Sequence, residues 1–133
     1  MTDSITYSLA RPFPAADVQK LFRQTAWAAT RSLDGVQAVL DRSVCVGAWQ
    51  ADRLVGFART VTDDLYRAFI EDVIVDEALR GQGIGSELVG RLLVRLDHVE
   101  EIVLSCEEHL APFYEHMGFR RVTHPFLNIW KGG

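Results

Sequence analysis

The 133 residues carry a formal charge of −4, with 48% hydrophobic and 24% charged residues. That is the size and composition of one globular domain, long enough to bury a core. The acidic balance argues against nucleic acid as an obligatory partner, because phosphate backbones need a basic face, yet it leaves room for a local anion site.

Two cysteines, Cys45 and Cys106, do not make a disulfide framework. Met1–Ala10 has neither a basic lead nor a long apolar run, and no window approaches ~18 apolar residues. The expectation is a cytoplasmic protein without membrane contact, with 1–133 as a single domain. Pro12, Pro14 and Pro125 punctuate turns rather than linkers.

In chain order, Ile5–Leu9 alternates and predicts a strand. Ala15–Ala29 predicts a helix, with Val18, Leu21, Phe22 and Ala26 at helical spacing. Leu33–Leu40 predicts a second. Val44–Trp49 and Leu54–Val61 read as strands around an Ala51–Arg53 hairpin loop. Arg67–Val75 reads as a strand after the Asp63–Asp64 turn. Gly83–Asp97 predicts an amphipathic helix striped by Ile84, Leu88, Leu92 and Leu96. Glu101–Cys106 reads as a strand, and His109–Met117 as a short helix stopped by Gly118. Phe119–Val122 and Phe126–Trp130 read as final strands. The order β-α-α-β-β-β-α-β-α-β predicts an α/β fold with a mixed, mostly antiparallel sheet flanked by helices.

The segment Arg80-Gly81-Gln82-Gly83-Ile84-Gly85-Ser86 follows a strand and opens a helix. Glycines let backbone N–H groups approach an anion, the helix N-terminus adds a positive dipole end, and Arg80 adds a charge. The segment lacks the Gly-Lys-Ser/Thr of a Walker loop, and its glycine spacing departs from the dinucleotide fingerprint. By itself it is an anion cradle or a flexible loop.

Arg80-x-x-Gly83-x-Gly85 resembles the pyrophosphate loop of the GNAT superfamily of N-acetyltransferases. Phe69-Ile-Glu-Asp-Val-Ile-Val-Asp76 resembles that superfamily's fourth strand, in the form found in glucosamine-6-phosphate N-acetyltransferases. Cys106-Glu-Glu-His-Leu-Ala-Pro-Phe-Tyr114-Glu-His-Met-Gly-Phe119 resembles its closing segment. Strong similarity covers 69–119, with a weaker likeness at Val55–Arg59. Leu110 departs from the asparagine of many relatives, and no basic cluster matches a sugar-phosphate site.

The resemblance implies an N-acetyltransferase that moves the acetyl group of acetyl-CoA, without a metal, to a primary amine of a small molecule by direct attack. The alternatives are acetylation of a protein amine and an acyl-CoA-binding regulatory domain without turnover. It implies Val73, Ile74, Val75 and Arg80–Ser86 (Arg80, Gly81, Gln82, Gly83, Ile84, Gly85, Ser86) as the acetyl-CoA contacts.

An alkyl ammonium (pKa ~10.4) must lose a proton before attack, so a base is required. Glu71 and Asp72 are candidates, each weighed against a structural ion pair. Alternation puts them on opposite faces unless a bulge intervenes. Glu107 resembles an acceptor-orienting acid, or is a charge at a helix start. Tyr114 is the candidate general acid, or a core aromatic beside Phe113 and Phe119. Trp27, Phe57, Arg59 and Tyr66 are candidate acceptor contacts or packing residues. Cys106 reads as a buried small hydrophobe rather than a nucleophile. The tail Thr123–Trp130 is a candidate for pairing across a homodimer, as in several relatives.

Overall fold

The computed structural model describes residues 4–132, so the first three residues of the stretch read for a leader lie outside it. The chain forms β1 (Ile5–Ser8), α1 (Ala15–Phe22), α2 (Leu33–Arg42), β2 (Val44–Gln50), β3 (Arg53–Thr62), β4 (Arg67–Val75), α3 (Ile84–Arg95), β5 (Glu101–Val103) and α4 (Ala111–Glu115). Five strands make one sheet in the order β1-β2-β3-β4-β5. The first four are antiparallel neighbours, and β5 joins β4 in parallel. A parallel pair needs a crossover, and α3 supplies it.

Each sheet face has its own core. On one face α3 lays the expected stripe, Ile84, Leu88, Leu92 and Leu96, against Val46, Val55, Ala58, Ala68 and Ile70. On the other, Val18, Leu21 and Phe22 of α1 and Val36 of α2 pack on Trp49, Leu54, Phe57 and Ile74. The faces of β3 depart from strict alternation: Val55 and Ala58 face α3, while Leu54 and Phe57 face α1 and α2. The odd spacing follows from a register shift between Ala48 and Trp49 on the paired strand.

Two expected elements differ. The helix read over Ala15–Ala29 stops at Phe22. Thr25 ends it: its hydroxyl donates to the Phe22 carbonyl at 2.8 Å and accepts from the Ala28 N–H at 2.9 Å, so local side-chain bonds replace helical ones. The second difference is the C-terminus. Among the described residues no strand follows β5, and the segments 119–122 and 126–130 stay unpaired. Their β-rich composition lacks a partner edge, because β5 is only three residues long. Phe126, Leu127, Ile129 and Trp130 are exposed as a result.

The helix before Gly118 is shorter than read. A 3-10 turn, Glu108–Leu110, precedes α4, and Gly118 ends the segment at φ +102°. Cys106 lies beyond β5 and is exposed, which corrects its expected burial; Cys45 is buried, and both are free thiols. Among the described residues, no helix is long and apolar enough to cross a membrane.

Candidate active site

The parity problem in β4 is resolved by a bulge. Arg59 pairs with Glu71 and Phe57 with Ile74, so three steps on β4 oppose two on β3. The extra residue is Asp72, at φ +53°. Left-handed backbone is costly for most side chains but tolerated by Asp and Asn. Before the bulge, Ile70 faces α3; after it, Ile74 faces α1 and α2. Glu71 and Asp72 therefore share the α1–α2 face.

The two acids have different surroundings. The Asp72 side chain is fully buried and accepts three charge-assisted or aromatic N–H bonds. Trp27 Nε1 donates to Oδ1 at 2.8 Å, while Arg31 Nη1 and Arg59 Nε donate to Oδ2 at 2.7 Å each. Burial alone would raise its pKa; the donations from Arg59, Arg31 and Trp27 outweigh burial and hold it below the ordinary carboxylate value. A carboxylate so engaged is a poor proton acceptor, which favours the structural ion pair over the base of the two readings of Asp72. Glu71 is half-buried, and its pKa is raised, first by burial and then by the neighbouring charge of Asp72, against the opposing pull of Arg59 and Arg31.

Trp27 and Arg59 thus reach the site, but as donors to Asp72 (the Trp27 ring itself is largely exposed). Arg31, which sequence reasoning missed, is the third partner. Its signal was only a charge in an unassigned connection. Phe57 is a core residue: it is fully buried, edge-on to Phe13 and Phe22 at 5.7 and 5.8 Å. Tyr66 sits in the β3–β4 turn, five residues before Glu71, or roughly 16 Å along the strand.

The cofactor side lies where β4 and β5 part. Their pairing covers only Arg67–Phe69 against Glu101–Val103, so β4 from Ile70 onward has no strand partner on that edge. At its end, Gly81 and Gly83 adopt φ +82° and +85°, and a Cβ on either would meet nothing within 4 Å. Gly83 caps α3 without any side-chain bond, and the first helical bond runs from Glu87 N–H to the Gly83 carbonyl. The N–H groups of Ile84, Gly85 and Ser86 are therefore free of intrahelical partners, as an anion cradle requires. Arg80 folds back, its Nε donating to the Val75 carbonyl at 3.1 Å.

Tyr114 packs into the α3-side core, edge-on to Phe113 and Phe119 at 4.8 and 5.9 Å. Burial, and to a lesser degree Cys106, raises its pKa, so the phenol stays protonated. It also lines a cavity of about 1190 Å³ between β5, α4 and the tail, with Leu104, Ser105 and Cys106. That cavity includes neither Glu71 nor any residue of the glycine segment. Glu107 is exposed, its carboxylate 3.5 Å from His109 Nδ1.

A mixed sheet parting between its parallel strands beside an uncapped glycine turn is the architecture of an acyl-transferring enzyme class. The family model described as "Acetyltransferase (GNAT) family" matches residues 3–119. This chain belongs to that family. It is 31% identical over 87% of its length to an uncharacterized ycf52-like N-acetyltransferase of Prochlorococcus marinus, covering 68% of that protein. It spans about two thirds of the length of the curated relatives it matches. A GNAT family acetyltransferase of Streptococcus pneumoniae superposes with a TM-score of 0.78 at 27% identity, over 94% of this chain and 98% of that one. Glucosamine-6-phosphate N-acetyltransferase of Arabidopsis thaliana shares the fold, at a TM-score of 0.74 and 15% identity over 97% of this chain and the whole of that one. The likeness to that enzyme type is one of fold alone.

Proposed function

We propose that this protein is an acetyl-CoA-dependent N-acetyltransferase that acetylates a primary amine of a small molecule by direct attack in a ternary complex. The observation that carries the reading is the β4 bulge. It brings Asp72 onto the sheet face of Glu71, at the point where the strand's other edge has lost its β5 partner and ahead of the uncapped turn Arg80–Ser86.

In this reading the pyrophosphate lies on the N–H groups of Ile84, Gly85 and Ser86, and the pantetheine arm pairs with Val73–Val75 as an added strand. The Val73 N–H polarises the thioester carbonyl. Glu71 takes the proton of the acceptor ammonium, directly or through water. The amine nitrogen then bonds to the carbonyl carbon, the C–S bond breaks, Tyr114 gives its proton to the departing thiolate, and the surplus proton of the attacking nitrogen leaves through water and restores the Tyr114 phenol. Glu107 orients the acceptor from the rim. The raised pKa of Glu71 suits a base, and that of Tyr114 keeps an acid loaded.

The acceptor is an amine without a phosphate. Both arginines beside Glu71 are taken up by Asp72, so neither is offered to an anion. Two free cysteines suit a reducing cytoplasm. The exposed Phe126, Leu127, Ile129 and Trp130 suit pairing with a second copy.

The test is a thermal-shift series followed by an amine screen read as free thiol. Acetyl-CoA should raise Tm while NAD and ATP should not. Absence of a shift with every acyl-CoA sinks the proposal. A shift without turnover on any small or peptide amine would instead support the regulatory reading.

A further inference from the structure

Asp72 holds more charge and more structure than a strand residue needs. It sits at the bulge with left-handed backbone, next in sequence to Glu71. Its carboxylate gathers groups from three separate places. Trp27 and Arg31 come from the connection between α1 and α2, and Arg59 comes from β3. Arg59 is held in turn by Ser43 at the start of β2, its Nη1 donating to Oγ at 3.2 Å. Arg31 lies over the Phe22 ring at 5.0 Å.

We propose that Asp72 is a positioning residue: its carboxylate pins the Trp27–Arg31 connection over the β4 bulge and neutralises half of the positive charge that Arg31 and Arg59 bring to Glu71. The role rests on the acetyl-transfer reading only insofar as Glu71 is the base. Without Asp72, two guanidinium groups would face Glu71, and they would favour its ionised form. A carboxylate so stabilised holds a proton weakly and abstracts one poorly. With Asp72 in place the local charge of the three partners falls from two to one. The charged and titratable groups around Glu71 are then Arg59 on β3, Arg31 on the α1–α2 connection and Asp72 on β4 itself. Buried Cys45 on β2 stands near Arg59 and Asp72 with its thiol pushed up to about 11, so it stays neutral. The second consequence is mechanical. The exposed Trp27 ring stands on the sheet face that Glu71 and Asp72 share, and its N–H is anchored only while Asp72 accepts it.

The experiment compares wild type, Asp72→Asn and Arg31→Gln, each checked for folding by its amide spectrum. The primary readout is the ¹³C titration of the Glu71 side-chain carboxyl, which needs no turnover. Asp72→Asn should move the Glu71 midpoint to lower pH, and Arg31→Gln should move it to higher pH. A purely packing role predicts no such opposed displacement. Midpoints that stay put, or move the same way in both variants, overturn the proposal. In turnover, the acid limb of the kcat/KM profile should follow the same shifts. Asp72→Asn should also raise the acceptor KM roughly tenfold or more, with the acetyl-CoA KM within about twofold; equal changes in both constants overturn the anchoring of Trp27. If Asp72→Asn does not fold, the direction of the Arg31→Gln shift alone decides. If wild type turns over no amine, the acetyl-transfer reading fails while the titration still decides the charge balance.

Discussion

Replacing Asp72 with alanine measures what the buried carboxylate contributes to the fold. The substitution strands Arg59, whose side chain is only 14% exposed, as a buried cation with one remaining side-chain partner, Ser43. Arg31, at 33% exposure, and the exposed Trp27 can turn to water at little cost. Breaking a buried pair by removing one partner costs about 3–5 kcal/mol, chiefly through the charge left behind. Unfolding entropy of about 2.1 cal/mol/K per residue gives roughly 0.28 kcal/mol/K for this chain, so Tm should fall by about 11–18 °C. The pH dependence has a definite sign. Asp72 is held below its ordinary pKa when folded, so its contribution is present above the unfolded value of ~3.9 and is lost as pH falls through the folded one. The Tm gap between wild type and Asp72→Ala should therefore be full at neutrality and shrink in acid. Differential scanning calorimetry from neutral pH into the acid range reads both. A drop of less than about 3 °C at neutrality would refute the claim that Arg59 depends on Asp72 for its charge balance.

Glu71→Gln should lower kcat/KM by about 10²–10⁴ in an acetyl-transfer assay. Because Glu71 is raised above its ordinary pKa when folded, its ionisation costs stability as pH rises through the folded value, so this variant should melt higher than wild type near neutrality and equally in acid. Tyr114→Phe should lower kcat roughly tenfold or more while leaving acetyl-CoA affinity within about twofold; unchanged turnover across pH would remove Tyr114 from proton transfer. Gly83→Ala places a side chain at φ +85° with no atom within 4 Å, so the expected loss is backbone strain of about 1–2 kcal/mol. Its larger effect should be on acetyl-CoA, whose thermal shift ought to shrink well beyond that, because the left-handed turn at Gly83 sets where the free N–H groups of Ile84, Gly85 and Ser86 point.

What could be read from the sequence followed from where its signals were redundant. The α3 stripe was visible because four leucine or isoleucine positions repeat on one face, and the structure buries all four. Arg80–Ser86 announced an uncapped helix start through composition alone, and the free N–H groups are there. The bulge was foreseen only as a condition, since two adjacent acids cannot otherwise share a face. Non-local partnerships were invisible. Arg31 reaches Asp72 across 41 residues, and nothing in local pattern marks that pairing. The end of α1 was hidden because apolar spacing continues to Ala26 while Thr25 diverts the backbone. The tail misled for the opposite reason: strand propensity is a property of a segment, whereas a strand also needs an edge to join.

The bulge also says which residue β4 could do without. Glu71 stands opposite Arg59 and Ile74 opposite Phe57, while Ala58 alone faces Asp72 and Val73. A chain lacking Asp72 would run through the same stretch in plain alternation, with Glu71, Val73 and Ile74 each still on its present side. A one-residue deletion there would not scramble the sheet, as it would elsewhere in the strand; its cost would be the stranded Arg59 and the loosened Trp27. The fold therefore carries Asp72 as an inserted residue, kept for the groups it gathers rather than for the strand it interrupts.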